Sequence, residues 1–268
     1  MTRTVGADEV VDVLVVGGGP AGLAAAIAAR LRGFSVRVVE RRPLPTAEAL
    51  RTDDVSGLDK ACGEGLMPDG LARLASWGVA LDDDAGQPFG GIRYVDDDGR
   101  VAEGRFPVDA GGRGVRRTRL HAALLGRAHA LGVAIASDVG TAHLDDPAAV
   151  DRLGPLAPPI VVRAGDAAWS GRWLLVADGL RSPLRAALGL ARPAARTAAA
   201  GAARLGIRRH VACAPWTDCV EVHWADDAEA YVTPVADDEI GIAILWWQRP
   251  APVDASADDA PAAGGRFE

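Results

Sequence analysis

The sequence predicts an α/β protein in which a doubly wound sheet is interleaved with a second, strand-rich domain. Three observations lead there. Val10–Val16 is an almost unbroken β-branched run, the pattern of a strand buried on both faces. It leads straight into Gly17-Gly18-Gly19-Pro20-Ala21-Gly22, which opens an alanine-rich stretch of helical length reaching Arg32. Gly33 closes that helix, and Ser35–Val39 forms a second short apolar strand ending on Glu40. Strand, glycine turn, helix and strand is the opening unit of such a sheet.

The remaining elements follow in order. Arg42–Lys60 is polar, contains prolines and reads as a loop. Leu66–Trp77 has helical periodicity and is stopped by Gly78. Ile92–Val95 and Val101–Phe106, joined by Asp96-Asp97-Asp98-Gly99, read as a hairpin. Arg117–Leu131 is a second helix and Val133–Ala136 a strand, after which Pro155, Pro158 and Pro159 interrupt the pattern. Trp173–Ala177 reads as another buried strand, and Ala203–Trp247 as several strands divided by turns. The nucleotide-binding domain then takes 1–89 and 107–202, and the strand-rich domain takes 90–106 and 203–247. Residues 248–268, rich in Ala, Pro and Asp, read as a disordered tail or linker.

Composition narrows the function. With 49% hydrophobic and 24% charged residues among 268, the chain has the make-up of a soluble globular protein. A net charge of −7 argues against a nucleic-acid-binding surface. The cysteines, Cys62, Cys213 and Cys219, are too few and scattered for a disulfide framework, so a reducing cytoplasm is expected. The N-terminus lacks a secretory pattern, and the apolar run Ala24–Ala29 is too short to span a bilayer. Asp82–Asp84 and Asp96–Asp98 lack the spacing of a calcium loop, so no metal is expected.

The glycine turn carries the chemistry. Gly17 permits the tight exit from the strand, Gly19 leaves room for a pyrophosphate, and Gly22 allows close helix–sheet packing. Pro20 suits the first helical turn, and Ala21 follows it there. Phosphates would sit on the helix N-terminus, where free N–H groups and the dipole favour anions. Glu40 is placed to accept hydrogen bonds from ribose hydroxyls and disfavours a 2′-phosphate. These residues specify a dinucleotide but do not separate FAD from NAD.

Four segments together decide more. They are Asp12–Glu40; Asp59-Lys60-Ala61-Cys62-Gly63-Glu64-Gly65; Arg117-Thr118-Arg119-Leu120-His121-Ala122-Ala123-Leu124; and Ala177-Asp178-Gly179-Leu180-Arg181-Ser182-Pro183-Leu184-Arg185. In this order they resemble the geranylgeranyl reductase-like branch of the FAD-dependent monooxygenase and oxidoreductase superfamily. The resemblance implies a Rossmann-type FAD-binding domain and an FAD-dependent oxidoreductase. Arg41 joins Glu40 among the cofactor-binding residues, Arg117 contacts FAD from its helix start, and Asp178 and Gly179 lie near the cofactor's linker. Val139 meets the adenine through its backbone. Cys62 and Gly63 lie near the flavin ring, while Trp224, Tyr231 and Pro234 face substrate and flavin. No catalytic residue is singled out.

By the same resemblance, NAD(P)H is the electron donor and the substrate is a small or lipid-like molecule. The outcome is reduction of a carbon–carbon double bond or hydroxylation. The family also carries a later Gly-Asp segment that closes over the flavin's phosphates. Nothing after Trp247 supplies it, so the chain is expected to be truncated ahead of that segment. A non-catalytic remnant with weak or no FAD binding is therefore one alternative. The other is an NAD-dependent dehydrogenase, which gives no account of Asp178–Arg185.

Overall fold

The computed structural model describes residues 9–46, 59–82, 85–151, 154, 157–191 and 203–248. The expected tail from 249 onward and most of the Arg42–Lys60 loop lie outside the described residues. The first half of the chain forms β1 (Val11–Val16), α1 (Pro20–Arg30), β2 (Val36–Val39), β3 (Gly65–Leu66) and α2 (Pro68–Ser76). Next come β4 (Gln87–Phe89), β5 (Gly91–Val95), β6 (Val101–Arg105), β7 (Gly112–Gly114), α3 (Arg117–Ala130) and β8 (Ala134–Ala136). The second half gives β9 (His143–Leu144), β10 (Ile160–Ala164), β11 (Ala167–Val176) and α4 (Pro183–Ala187). It closes with β12 (Ala203–Ala212), β13 (Cys219–Trp224), β14 (Ala228–Pro234) and β15 (Glu239–Gln248).

One six-stranded sheet has the order β8-β2-β1-β11-β10-β9. Its first four strands are parallel, and β10 and β9 extend it antiparallel. The two faces follow from the period of two along a strand. Val13, Val15, Val36 and Val38 pack with Leu23 and Ile27 of α1 and with Leu124 and Leu125 of α3. Leu14, Val16 and Val39 belong to the opposite core, with Leu144, Val162, Trp169 and Leu184. Each fully buried Leu or Val of this kind contributes about 1.5–3 kcal/mol. The predicted α/β class is therefore observed.

The stretch Trp173–Ala177 departs from expectation. It is the end of the longer strand β11, yet Trp173 is 63% and Leu175 38% exposed. The register gives the reason. Strand β10 pairs with β11 only as far as Ile160 opposite Gly171. Pro158 and Pro159, which precede Ile160, have no N–H to continue the ladder. Beyond Gly171, β11 is hydrogen-bonded to β1 alone among the described residues.

A second six-stranded sheet has the order β12-β15-β14-β13-β5-β6, with β13 and β5 parallel and the other pairs antiparallel. A third, three-stranded sheet has the order β3-β7-β4 and touches the second sheet through β4 and β14; sequence periodicity does not announce it. Strand β7 is Gly112-Arg113-Gly114 because it is wedged on both sides. A Cβ at Gly112 would overlap the Phe89 ring, and one at Gly114 would overlap the Pro234 carbonyl oxygen. Gly114→Ala should accordingly lower stability by about 1–3 kcal/mol through overpacking. Urea unfolding checks this, and an unchanged midpoint would contradict the wedge.

Candidate cofactor-binding site

Strands β1, β2 and β11 end side by side, and the residues just beyond them, Gly17, Glu40 and Asp178, come together. Because β1 has β2 on one side and β11 on the other, the chain reverses its winding here. Such a switch point opens a crevice at the carboxyl edge of the sheet. A cavity of about 360 Å³ fills it, lined by Gly17, Gly19, Pro20, Ala21, Glu40, Arg41, Arg117, Asp178 and Gly179. All nine were expected at a cofactor. Lys60 and Pro183, from two of the motif segments but given no role there, also line it, as do Thr141 and Ala142.

The turn itself is over-determined. Gly17 has φ +112°, and a Cβ there would overlap the Ala177 carbonyl oxygen. A Cβ at Gly22 would overlap the Gly17 carbonyl oxygen, so Gly22 packs inside the turn rather than lining the cavity. Gly19 differs from both, since its Cβ position meets no atom within 4 Å. Pro20 begins α1, whose free N–H groups face the cavity end of the helix.

Glu40 is already engaged. It accepts the Gly18 N–H at 2.6 Å and the Arg42 N–H at 3.0 Å, and so ties the glycine turn to the end of β2. A carboxylate has about four lone-pair sites, which leaves capacity for hydroxyl donors. Opposite it stands Arg117, the first residue of α3. The Arg117 N–H donates to Glu64 Oε1 at 2.9 Å. Glu64 is a buried carboxylate at φ +58°, also met by His210 at 2.7 Å and Arg208 at 3.3 Å. It joins the cysteine loop to α3 and to β12.

Behind the turn, His121 Nε2 donates to the Gly18 carbonyl oxygen at 2.6 Å. Burial pushes the His121 pKa below its ordinary value, the Gly18 hydrogen bond opposes this, and Arg117 adds to the lowering. Burial likewise lowers His129.

The residues after β11 divide their work. Asp178 and Gly179 line the cavity, whereas Ser182 caps α4 by accepting the Arg185 N–H at 2.9 Å. The Arg185 guanidinium reaches the Leu180 carbonyl at 2.6 Å. Two buried polar atoms on the cavity-lining residues, Arg117 Nε and Asp178 Oδ1, have no hydrogen-bond partner among the described residues. Arg117 Nε suits an anionic group and Asp178 Oδ1 a hydroxyl or N–H donor, and the residues present fit a dinucleotide.

Other expected residues lie apart from this cavity. The Val139 N–H is turned to the Glu40 carbonyl at 3.4 Å, while the neighbouring Gly140, Thr141 and Ala142 line the cavity. Cys62 is half-buried, and its sulfur accepts the Glu64 N–H at 3.3 Å. The Gly63 carbonyl accepts from Thr233 Oγ1 at 2.7 Å, and the Gly63 Cβ position lies 3.9 Å from the Tyr231 ring. Burial raises the Tyr231 pKa, helped by its hydrogen bond to Glu229. Trp224 is exposed at an edge-on contact with Tyr94, and Pro234 is buried with its carbonyl against Gly114. No cluster able to hold a metal occurs among the described residues, and no described helix is long and apolar enough to cross a membrane.

A larger cavity, about 980 Å³, lies elsewhere, between α4 and the exposed part of β11. It is lined mainly by apolar groups such as Trp173, Leu174, Val176 and Leu188. It has no glycine turn and no α-helix N-terminus, so chemistry favours the smaller one.

Comparison with known proteins bears on the fold. Residues 12–46 match the family described as FAD dependent oxidoreductase. The fold is that of these flavoproteins. A flavoprotein/dehydrogenase from Cytophaga hutchinsonii superposes with TM-score 0.65 at 19% identity, over 89% of this chain and 56% of that one. A geranylgeranyl bacteriochlorophyll reductase-like protein from Thermoplasma acidophilum gives 0.62 at 19%, over 89% and 57%. A probable FAD-dependent monooxygenase from Pseudomonas aeruginosa gives 0.62 at 18%, over 89% and 61%. A menaquinone reductase from Mycolicibacterium smegmatis is 44% identical over 69 residues, 26% of this chain and 14% of that protein. The chain thus spans 56–61% of the length of these three solved structures.

The histidines set a pH dependence. Burial lowers the pKa of His121 and His129 in the fold, whereas in the unfolded chain they titrate near 6.5. The unfolded state therefore takes up protons first as pH falls. Their contribution is whole above about pH 6.5 and is lost progressively below it. Urea midpoints at pH 7.5 and 5.5 should differ, and less so in His121→Asn. Equal differences in both proteins would contradict this account of His121.

Proposed function

We propose that this chain carries the cofactor-binding part of an FAD-dependent oxidoreductase acting on a small or lipid-like molecule. The observation that carries the reading is the convergence of Gly17, Gly19, Glu40, Arg117, Asp178 and Gly179 on one cavity at the switch point of the sheet. In this reading the pyrophosphate lies against the α1 N-terminus and Arg117, and Glu40 receives the ribose hydroxyls. Asp178 and Gly179 hold the linker between the two halves of the cofactor. The loop at Cys62 and Gly63 forms the passage toward the second sheet, where Tyr231 and Trp224 offer an aromatic surface to the substrate. When bound, FAD supplies the two-electron chemistry, with NAD(P)H as the donor.

The reductase form of this reading draws on the menaquinone reductase relative and the geranylgeranyl reductase-like fold neighbour. The monooxygenase neighbour keeps hydroxylation within the same proposal. A cytoplasmic setting also belongs to it, and is consistent with Cys62, Cys213 and Cys219 all being free.

Gly19→Val is the test. The Cβ position of Gly19 meets no atom within 4 Å and the residue lines the cavity, so the larger side chain would block the guest and spare the fold. Titration followed by quenching of flavin fluorescence should show one FAD per wild-type chain and none in the variant, with unchanged circular dichroism. A wild-type chain that takes up no FAD, or equal uptake by both, would sink the proposal.

A further inference from the structure

We propose that Lys60 is a phosphate-gripping residue of this cavity and that, through it, cofactor affinity depends on pH. The inference rests on the FAD reading above and adds a residue that the glycine fingerprint does not include.

Two independent observations point to Lys60. The first is its place: it lines the cavity together with Gly17, Gly19, Pro20 and Arg117. The second is its identity. Of the 29 basic residues in the chain, it is the one lysine, and every other is arginine. A lysine can lose its proton when crowded or desolvated, whereas an arginine in a protein does not. The single basic group able to titrate in this way stands where an anion is expected.

Its neighbours come from every side. Glu40, Arg41 and Arg42 follow β2, Arg117 begins α3, Asp178 follows β11, and His121 lies behind the glycine turn. Lys60 is exposed, and partial desolvation with Arg42, Arg117 and Arg41 nearby lowers its pKa, while Glu40 opposes them. A pyrophosphate brings negative charge into this cationic corner and favours the ammonium form. Binding then draws a proton onto Nζ whenever the free protein has lost it. Affinity should therefore be constant at neutral pH and fall as pH rises through the lowered Lys60 pKa.

Because the chain has one lysine, its amine can be followed directly. Reductive ¹³C-methylation gives one ε-amine resonance besides the α-amine. The resonance should titrate below the ordinary lysine range in the free protein and move upward with saturating FAD. Amine acylation at Lys60, read by peptide mass, should slow about tenfold with either FAD or inorganic pyrophosphate. Lys60→Gln should weaken FAD about tenfold and abolish the loss of affinity at alkaline pH. Lys60→Arg should keep the affinity but lose the pH dependence. FAD binding without protection of Lys60 would overturn the assignment while leaving the FAD reading intact. Protection by pyrophosphate in a chain that ignores FAD would support Lys60 as an anion contact and overturn the FAD reading. Protection by neither would overturn the assignment.

Discussion

The close approach of three chain segments at Gly17 is the constraint on which the rest of the site depends. The Gly17 N–H donates to the Val39 carbonyl at 2.8 Å, and the Ala177 N–H to the Val16 carbonyl at 2.8 Å. The ends of β1, β2 and β11 are thereby locked in one plane. The turn between β1 and α1 must then pass under Ala177 and over its own carbonyl, which leaves no Cβ room at Gly17 or Gly22. What remains above the turn is a crevice walled by backbone N–H groups, one carboxylate from β2 and one from β11. Its chemistry follows from where strands end, not from a dedicated catalytic cluster.

A second tie carries that geometry to the other sheet. Glu64 holds the start of α3 through the Arg117 N–H and holds β12 through His210 and Arg208, with its carboxylate almost wholly buried. Breaking a buried charged contact of this kind costs about 3–5 kcal/mol, because the remaining charges are left uncompensated. Arg116, beside Arg117, pairs with Glu239 of β15 and braces the same junction. The switch-point cavity and the aromatic sheet face are thus both tied to one short stretch, Cys62 to Glu64. A residue at φ +58° persists there because three partners over-determine it.

Much of this was legible in the sequence, and the limits have physical causes. The glycine turn and Glu40 were readable because pyrophosphate binding demands particular residues at particular spacings. Strand β1 was readable because burial on both faces leaves a continuous apolar run. Strand β7 was not, since Phe89 and Pro234 leave no Cβ room at Gly112 and Gly114, and glycine reads as loop. The exposure of Trp173 was hidden because periodicity reports what a strand could bury, not whether a neighbour covers it. Lys60 was passed over because its role depends on arginines that only the fold brings together. Pro234, expected at the substrate, is buried against Gly114, a placement that motif order alone could not distinguish.

The central claim, that the crevice at the ends of β1, β2 and β11 receives the dinucleotide, is tested most directly by amide chemical shifts. In ¹⁵N-labelled protein titrated with FAD, the largest changes should fall on Gly18, Gly19, Ala21, Arg41, Arg117 and Gly179. Changes gathered instead around Trp173, Leu174 and Leu188, at the larger cavity, would contradict the account. So would a spectrum that FAD leaves unaltered.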